Sequence, residues 1–112
     1  MENIKRETIT IEEFSKLDLR IGTIRSTSAI PNADRLYRLT IEVGDEVLTT
    51  VAGIKRAYLP EELVGRQVVV LANLEPAKIK GITSECMLLA AKGEKITLLI
   101  PDREVPPGTP IG

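Results

Sequence analysis

Residues 73–91 read Asn-Leu-Glu-Pro-Ala-Lys-Ile-Lys-Gly-Ile-Thr-Ser-Glu-Cys-Met-Leu-Leu-Ala-Ala, which sets Lys78 and Lys80 in a loop punctuated by Gly and Pro between two apolar runs. An ammonium group on such a loop neutralises a phosphate and releases its counterions, so the chemistry on offer is recognition of a polyanion. Asn73 and Ser84 are expected to aim their side chains outward beside these lysines. Asn73 would donate to a phosphate or a 2′-hydroxyl, or else cap the backbone where a strand ends. Four more cations are candidates for the same task. Arg35 and Arg38 straddle the start of a predicted strand, with Arg38 on its outer face, and Lys55 and Arg56 follow Gly53 in a loop that reaches the same side. The plain alternative for each is a solvated surface charge.

Catalysis is poorly provided for. The chain has no histidine and one cysteine, so His-based mechanisms, a Cys/His zinc site and an intrachain disulfide are all excluded. Cys86, in apolar surroundings, is expected to be a small buried filler and not a reactive thiol. Neighbouring carboxylates (Glu12 with Glu13, Glu61 with Glu62) fall at surface-helix positions. No nucleophile–base pair, phosphate-cradling glycine loop or calcium-loop spacing is present. We read the chain as a binding protein with no catalytic residue, metal or cofactor.

A net charge of −1 argues against a polycation that grips any nucleic acid. The distribution is uneven: acids dominate the start (Glu2, Glu7, Glu12, Glu13, Asp18) and the tail (Asp102, Glu104), whereas the candidate cations populate the middle. Phe14, Tyr37 and Tyr58 are the only aromatic residues. Single-strand binders stack bases on aromatics at about 1–3 kcal/mol each. With Phe14 and Tyr37 assigned to the core, a folded RNA gripped through its backbone fits better than a single strand.

These side chains need a scaffold, and 112 residues provide one domain with one modest core. Thr10 and Glu13 have capping-box spacing and predict a short helix over 11–16. After it, runs rich in Val, Ile, Leu and Thr alternate with turn signals, predicting strands near 19–28, 36–43, 46–52, 66–73, 85–91 and 96–100. In the second, Tyr37, Leu39, Ile41 and Val43 share one face while Arg38, Thr40 and Glu42 share the other. The phase slips near Gly22, which predicts a glycine bulge. Leu59-Pro60-Glu61-Glu62-Leu63 then Gly65 reads as a small helix between the third and fourth strands. The expected fold is all-β: an OB-fold five-stranded barrel over 18–112, preceded by a lead and short helix over 1–17 and ending in a proline-stiffened tail. With no signal-like start and no apolar run near the roughly 20 residues a bilayer requires, a cytoplasmic protein is expected. The methionine start with its short acidic lead predicts a complete product.

In-order matches run from about Phe14 to the end: Asp18-Leu-Arg-Ile-Gly-Thr-Ile24, Pro31-Asn-Ala-Asp-Arg-Leu-Tyr37, Pro60-Glu-Glu-Leu-Val-Gly65, Ala72-Asn-Leu-Glu-Pro-Ala-Lys78, Gly81-Ile-Thr-Ser84, Met87-Leu-Leu-Ala-Ala91 and Val105-Pro-Pro-Gly108. Through them the chain resembles the tRNA-binding domain family. This family comprises free-standing tRNA-binding proteins, the carboxy-terminal appendage of methionyl-tRNA synthetases, and a related dimeric export-chaperone branch. The resemblance implies an OB-fold, a homodimer built largely from the terminal regions (Ile11 and Phe14 of the helix, Val105 and Ile111 of the tail), and recognition of tRNA by shape. It also implies accessory service to aminoacylation or tRNA handling, with an aminoacyl-tRNA synthetase as a possible partner.

By the same resemblance Asn73, Lys78, Ser84, Glu85 and Met87 form the binding edge. From the residues themselves, Met87 reads more readily as core, and Ser84 and Glu85 as residues that order the loop. Cys86 departs from the family's Ser-x-Gly-Met stretch, so the backbone there must be ordinary or the partner further off. The rival reading is a chaperone that holds unfolded chains in an apolar groove, and a third is a synthetase-binding module that touches RNA only weakly.

Overall fold

The computed structural model describes residues 5–112, so the first four residues of the acidic lead lie outside it. Helix α1 (Ile11–Ser15) begins where the spacing predicts: the Glu13 N–H donates to Thr10 Oγ1 at 3.1 Å and the Thr10 N–H donates to Glu13 Oε1 at 3.0 Å. This capping box starts the helix, but nothing buries it. Phe14, expected in the core, is only half-buried, and Ile11 is 74% exposed.

Strands β1 (Leu19–Ala29), β2 (Tyr37–Val43) and β3 (Glu46–Ala52) form an antiparallel meander; α2 (Pro60–Leu63) then leads into β4 (Gln67–Leu71). The long β1 pairs with β4 through residues 19–23 and with β2 through 23–29, so the sheet curls around it. Its order is β3-β2-β1-β4-β7, where β7 is Met87–Leu88. The fold is the expected all-β OB type. Tyr37, Leu39, Ile41 and Val43 are buried with Ile24, Leu63, Val68 and Val70, as the alternation in β2 requires. Each such branched side chain stabilises the core by about 1.5–3 kcal/mol on burial.

Gly22 is not the bulge. It pairs in register with Val68, and the irregularity falls between Ile24 and Ser26, leaving Arg25 as the extra, exposed residue. Glycine is needed at 22 for close packing: a Cβ there would lie 2.6 Å from Ile41 Cγ2.

The predicted strand over 85–91 is broken into pieces. Before it, the loop carrying the lysines is itself a hairpin of β5 (Ala77–Ile79) and β6 (Ile82–Ser84). Its two-residue turn, Lys80-Gly81, has both φ angles positive, at 52° and 78°, the geometry that matches the twist of tight hairpins. After β7 comes a second hairpin of β8 (Ala90–Lys92) and β9 (Ile96–Leu98), so the predicted strand over 96–100 is shorter than expected.

The barrel closes between β3 and residues 84–86, partly through side chains. The Glu85 N–H donates to the Thr49 carbonyl at 2.8 Å, the Thr49 N–H donates to Glu85 Oε1 at 3.0 Å, and the Val51 N–H donates to Ser84 Oγ at 3.1 Å. Two side-chain oxygens thus stand where ladder carbonyls would, which explains the break: Glu85 and Cys86 leave the ladder to make the seam.

The tail is a strap. Ile21 and Ile111 donate to the Thr109 and Leu19 carbonyls, Gly108 donates to the Ile21 carbonyl at 2.7 Å, and the Gln67 amide clamps both backbone groups of Val105. Gly108, with φ at 92°, crosses the β2–β3 turn so closely that a Cβ would lie 2.7 Å from Gly44 Cα. The strap covers a strand edge that would otherwise be open to pairing with another chain. Among the described residues no helix is long and apolar enough to cross a membrane.

Candidate nucleic-acid interface

An OB-fold binds oligonucleotides on the outer face of its second and third strands and on the loops joining strand one to two and four to five. In this chain those loops are residues 30–36 and the β4–β7 connection that carries the β5–β6 hairpin. The structure brings them together. Lys80 at the hairpin tip and Asn32, Asp34 and Arg35 of the first loop border one depression of about 380 Å³. Asn32 takes a left-handed backbone, φ 62°, in the turn that presents Arg35.

The remaining candidate cations lie on β2, on β5 and in the turn after β3. Arg38 is exposed on β2, in register with Ser28 and Val51. The Lys55 N–H donates to the Arg35 carbonyl at 3.2 Å, tying the turn after β3 to the first loop. Arg56 shares a second depression, of about 240 Å³, with Glu94 and Lys95 of the β8–β9 turn. Lys78 stands exposed on β5 opposite Thr83. None of Arg35, Arg38, Lys55, Arg56, Lys78 and Lys80 forms an ion pair with a described residue, although Asp34 and Glu94 border the same depressions. The ion pairs of the described residues are Arg20 with Asp18 at 2.7 Å, Arg25 with Glu42 at 3.8 Å, and Arg103 with Asp102 at 3.9 Å.

Several expectations need correction. Of the two readings for Asn73 the structure takes the second, the backbone cap: its Oδ1 accepts from the Asp18 N–H at 2.9 Å and its Nδ2 donates to the Lys16 carbonyl at 2.8 Å, stapling the lead to the end of β4. Ser84 is 6% exposed and belongs to the barrel seam, as does the Glu85 carboxylate. Ser84 Oγ and Glu85 Oε1 are engaged because the seam would otherwise leave β3 amides unpaired. Met87, expected in the core, is instead 44% exposed.

Cys86 is buried, as expected, and its backbone is ordinary. Burial, then the neighbouring Glu85 carboxylate, push its thiol up to about 11, against a weaker opposing contact from Thr50. At neutral pH it is an inert thiol. Tyr58 is not free for stacking either: its hydroxyl accepts from the Leu98 N–H at 2.9 Å, and Arg66 lies over its ring at 5.4 Å from the centroid.

Sequence reasoning missed Asn32, and Lys92 and Lys95 of the β8–β9 hairpin. The lysines flank Gly93, a turn signal whose charges passed unremarked. It also missed an apolar cleft of about 460 Å³ bordered by the β5–β6 hairpin, β7 and β8, with Leu74, Ile79 and Met87 among its lining residues.

A curled OB barrel with cations gathered on its joining loops defines an OB-fold binding domain. Residues 19–110 match the family model described as "Putative tRNA binding domain", and the chain belongs to that family. It is 52% identical over 111 residues to a methionine–tRNA ligase of Thermococcus kodakarensis, and 52% identical over 108 residues to that of Pyrococcus furiosus. These alignments cover 98% and 96% of this chain but 15% of each ligase, so the chain spans about a seventh of those relatives. Among solved structures it resembles a MetRS-related protein from Pyrococcus horikoshii, with TM-score 0.89 and 32% identity, covering 96% of this chain and 100% of that one. It also resembles the chaperone CsaA of Bacillus anthracis, with TM-score 0.87 and 35% identity, covering 95% and 100%.

Proposed function

We propose that this chain binds folded tRNA by shape, without catalysing a reaction, as a homodimeric module accessory to aminoacylation or tRNA handling in the cytoplasm. The observation that carries this reading is the meeting of the two OB loops, which puts Lys80 beside Arg35, with Lys55 tied to the same loop. Cations left without carboxylate partners among the described residues are suited to phosphates, and the absence of a free aromatic fits duplex RNA held by its backbone. Kinship with methionine–tRNA ligases makes such a synthetase the natural partner.

Dimerisation would double the phosphate contacts and raise avidity in a chain with net charge −1. The strap satisfies its backbone within its own chain, so the dimer surface is assigned mainly to the lead and α1, where Ile9, Ile11 and Leu17 are exposed. Sedimentation at micromolar concentration should give a dimer; a monomer refutes this part. One observation favours the chaperone reading, namely the apolar cleft, but the cleft stands beside the basic rim and does not replace it.

The test is binding of folded tRNA against unstructured RNA of equal length, at several salt concentrations, by the parent and by Lys78→Ala. The expected result is a preference for tRNA that weakens with salt, and a salt slope flattened by about one contact in the variant. Equal binding of both RNAs, or none, contradicts the reading.

A further inference from the structure

Resting on the tRNA reading, we infer that the apolar cleft between the β5–β6 hairpin and the β7–β8 segment is a subsite for one unstacked nucleobase of the bound RNA, with Lys92 at its mouth holding the adjoining phosphate. The cleft measures about 460 Å³, inside the roughly 300–1,000 Å³ range of small-molecule sites. Leu74, Ile79 and Met87 line it and are each exposed, so apolar surface meets solvent there. Such a patch marks an interaction site.

Charge decides the occupant. Lys92 is the one charged side chain of the lining, which contains no carboxylate. Ile79, on one wall, lies between Lys78 and Lys80 in the hairpin already assigned to phosphates. Side chains alternate along β5, so Ile79 faces the cleft while Lys78 faces away, and Lys92 is the cation that can hold the phosphate of an RNA strand whose unpaired base enters the apolar slot. A base has apolar faces and a polar edge. Lying against Ile79 and Met87 it buries its faces while its edge stays at the wet mouth.

The floor also predicts how the base is read. Thr50 Oγ1 donates to the Cys86 carbonyl at 2.7 Å and lies 3.2 Å from Ser84 Oγ, so the single Thr50 hydroxyl hydrogen is committed and Ser84 must donate to Thr50. Ser84 Oγ in turn accepts the Val51 N–H. Neither hydroxyl has a hydrogen left for a ligand, so neither can donate to a base; each keeps one acceptor lone pair.

The test uses the intact chain, one transcribed tRNA that the parent binds, and the same tRNA carrying 4-thiouridine at its unpaired uridines. Irradiation of the parent complex should cross-link a thiouridine to a residue among 74, 79, 87 and 92. Ile79→Ser and Met87→Ser, checked for unchanged thermal unfolding, should lose that cross-link and weaken tRNA binding about threefold to tenfold, near the lower bound of base stacking. Lys92→Gln should flatten the salt slope by about one contact while keeping a cross-link at 79 or 87. Tight tRNA binding with cross-links only outside the cleft, or with affinity indifferent to all three substitutions, overturns the inference and leaves the tRNA reading standing. An extended apolar peptide that fills the cleft while tRNA stays bound also overturns it, and assigns the cleft to protein clients. Failure of the parent to bind folded tRNA defeats the reading on which the inference rests.

Discussion

Two regions use the same residue types for opposite ends. Around the strap, Arg20 is pinned: its Nε donates to Asp18 Oδ1 at 2.7 Å and its Nη1 donates to the Gly108 carbonyl at 3.0 Å, so its charge and donors hold the tail to the barrel. Around the two OB loops, Lys78, Lys80, Arg35 and Arg38 have no carboxylate partner among the described residues and are exposed. The lesson is that counting cations says little about binding. What matters is whether the fold has already engaged them, since a paired arginine must break native bonds before it can serve a phosphate. A chain with net charge −1 can then present a basic face, because acids answer the cations of one region and not those of the other.

The comparison can be broken most forcefully at the strap. Gly108→Val forces a branched side chain onto a left-handed residue 2.7 Å from Gly44 and should cost about 2–5 kcal/mol, combining backbone strain with overpacking. Chemical denaturation measures this, and tRNA affinity per folded molecule should not change. A stable variant would show that the strap is dispensable.

A smaller effect is expected at the seam. Ser84→Ala removes the acceptor of the part-buried Val51 N–H and should cost about 1–3 kcal/mol, with the salt slope of tRNA binding unchanged. Loss of slope with stability intact would return Ser84 to the RNA-contacting set.

The parts of the fold legible in the sequence are those set by local pattern. The Thr10–Glu13 box starts α1 and the period-two pattern of β2 names its core face, because both depend on residues a few positions apart. The hairpin turn at Lys80-Gly81 was harder to see, since lysine rarely takes the left-handed backbone and the usual Asn-Gly signal is missing. Asn73 and Ser84 stay open between a structural and a binding role for a different reason. Their hydrogen-bond partners lie 55 and 57 residues away for Asn73 and 33 for Ser84, and a short sequence window cannot distinguish such a staple from a side chain that greets a ligand. The cations were found, but that Lys80 meets Arg35 while Arg20 is already bound is a property of the closed barrel alone.

Whether the unpaired cations form the RNA surface is decided by the salt dependence of tRNA affinity in three proteins: the parent, Lys78→Gln/Lys80→Gln, and Arg20→Gln. The slope should fall by about two contacts in the double variant and stay at the parent value in Arg20→Gln. A double variant that keeps the parent slope, or an Arg20→Gln protein that loses as much, would contradict the account.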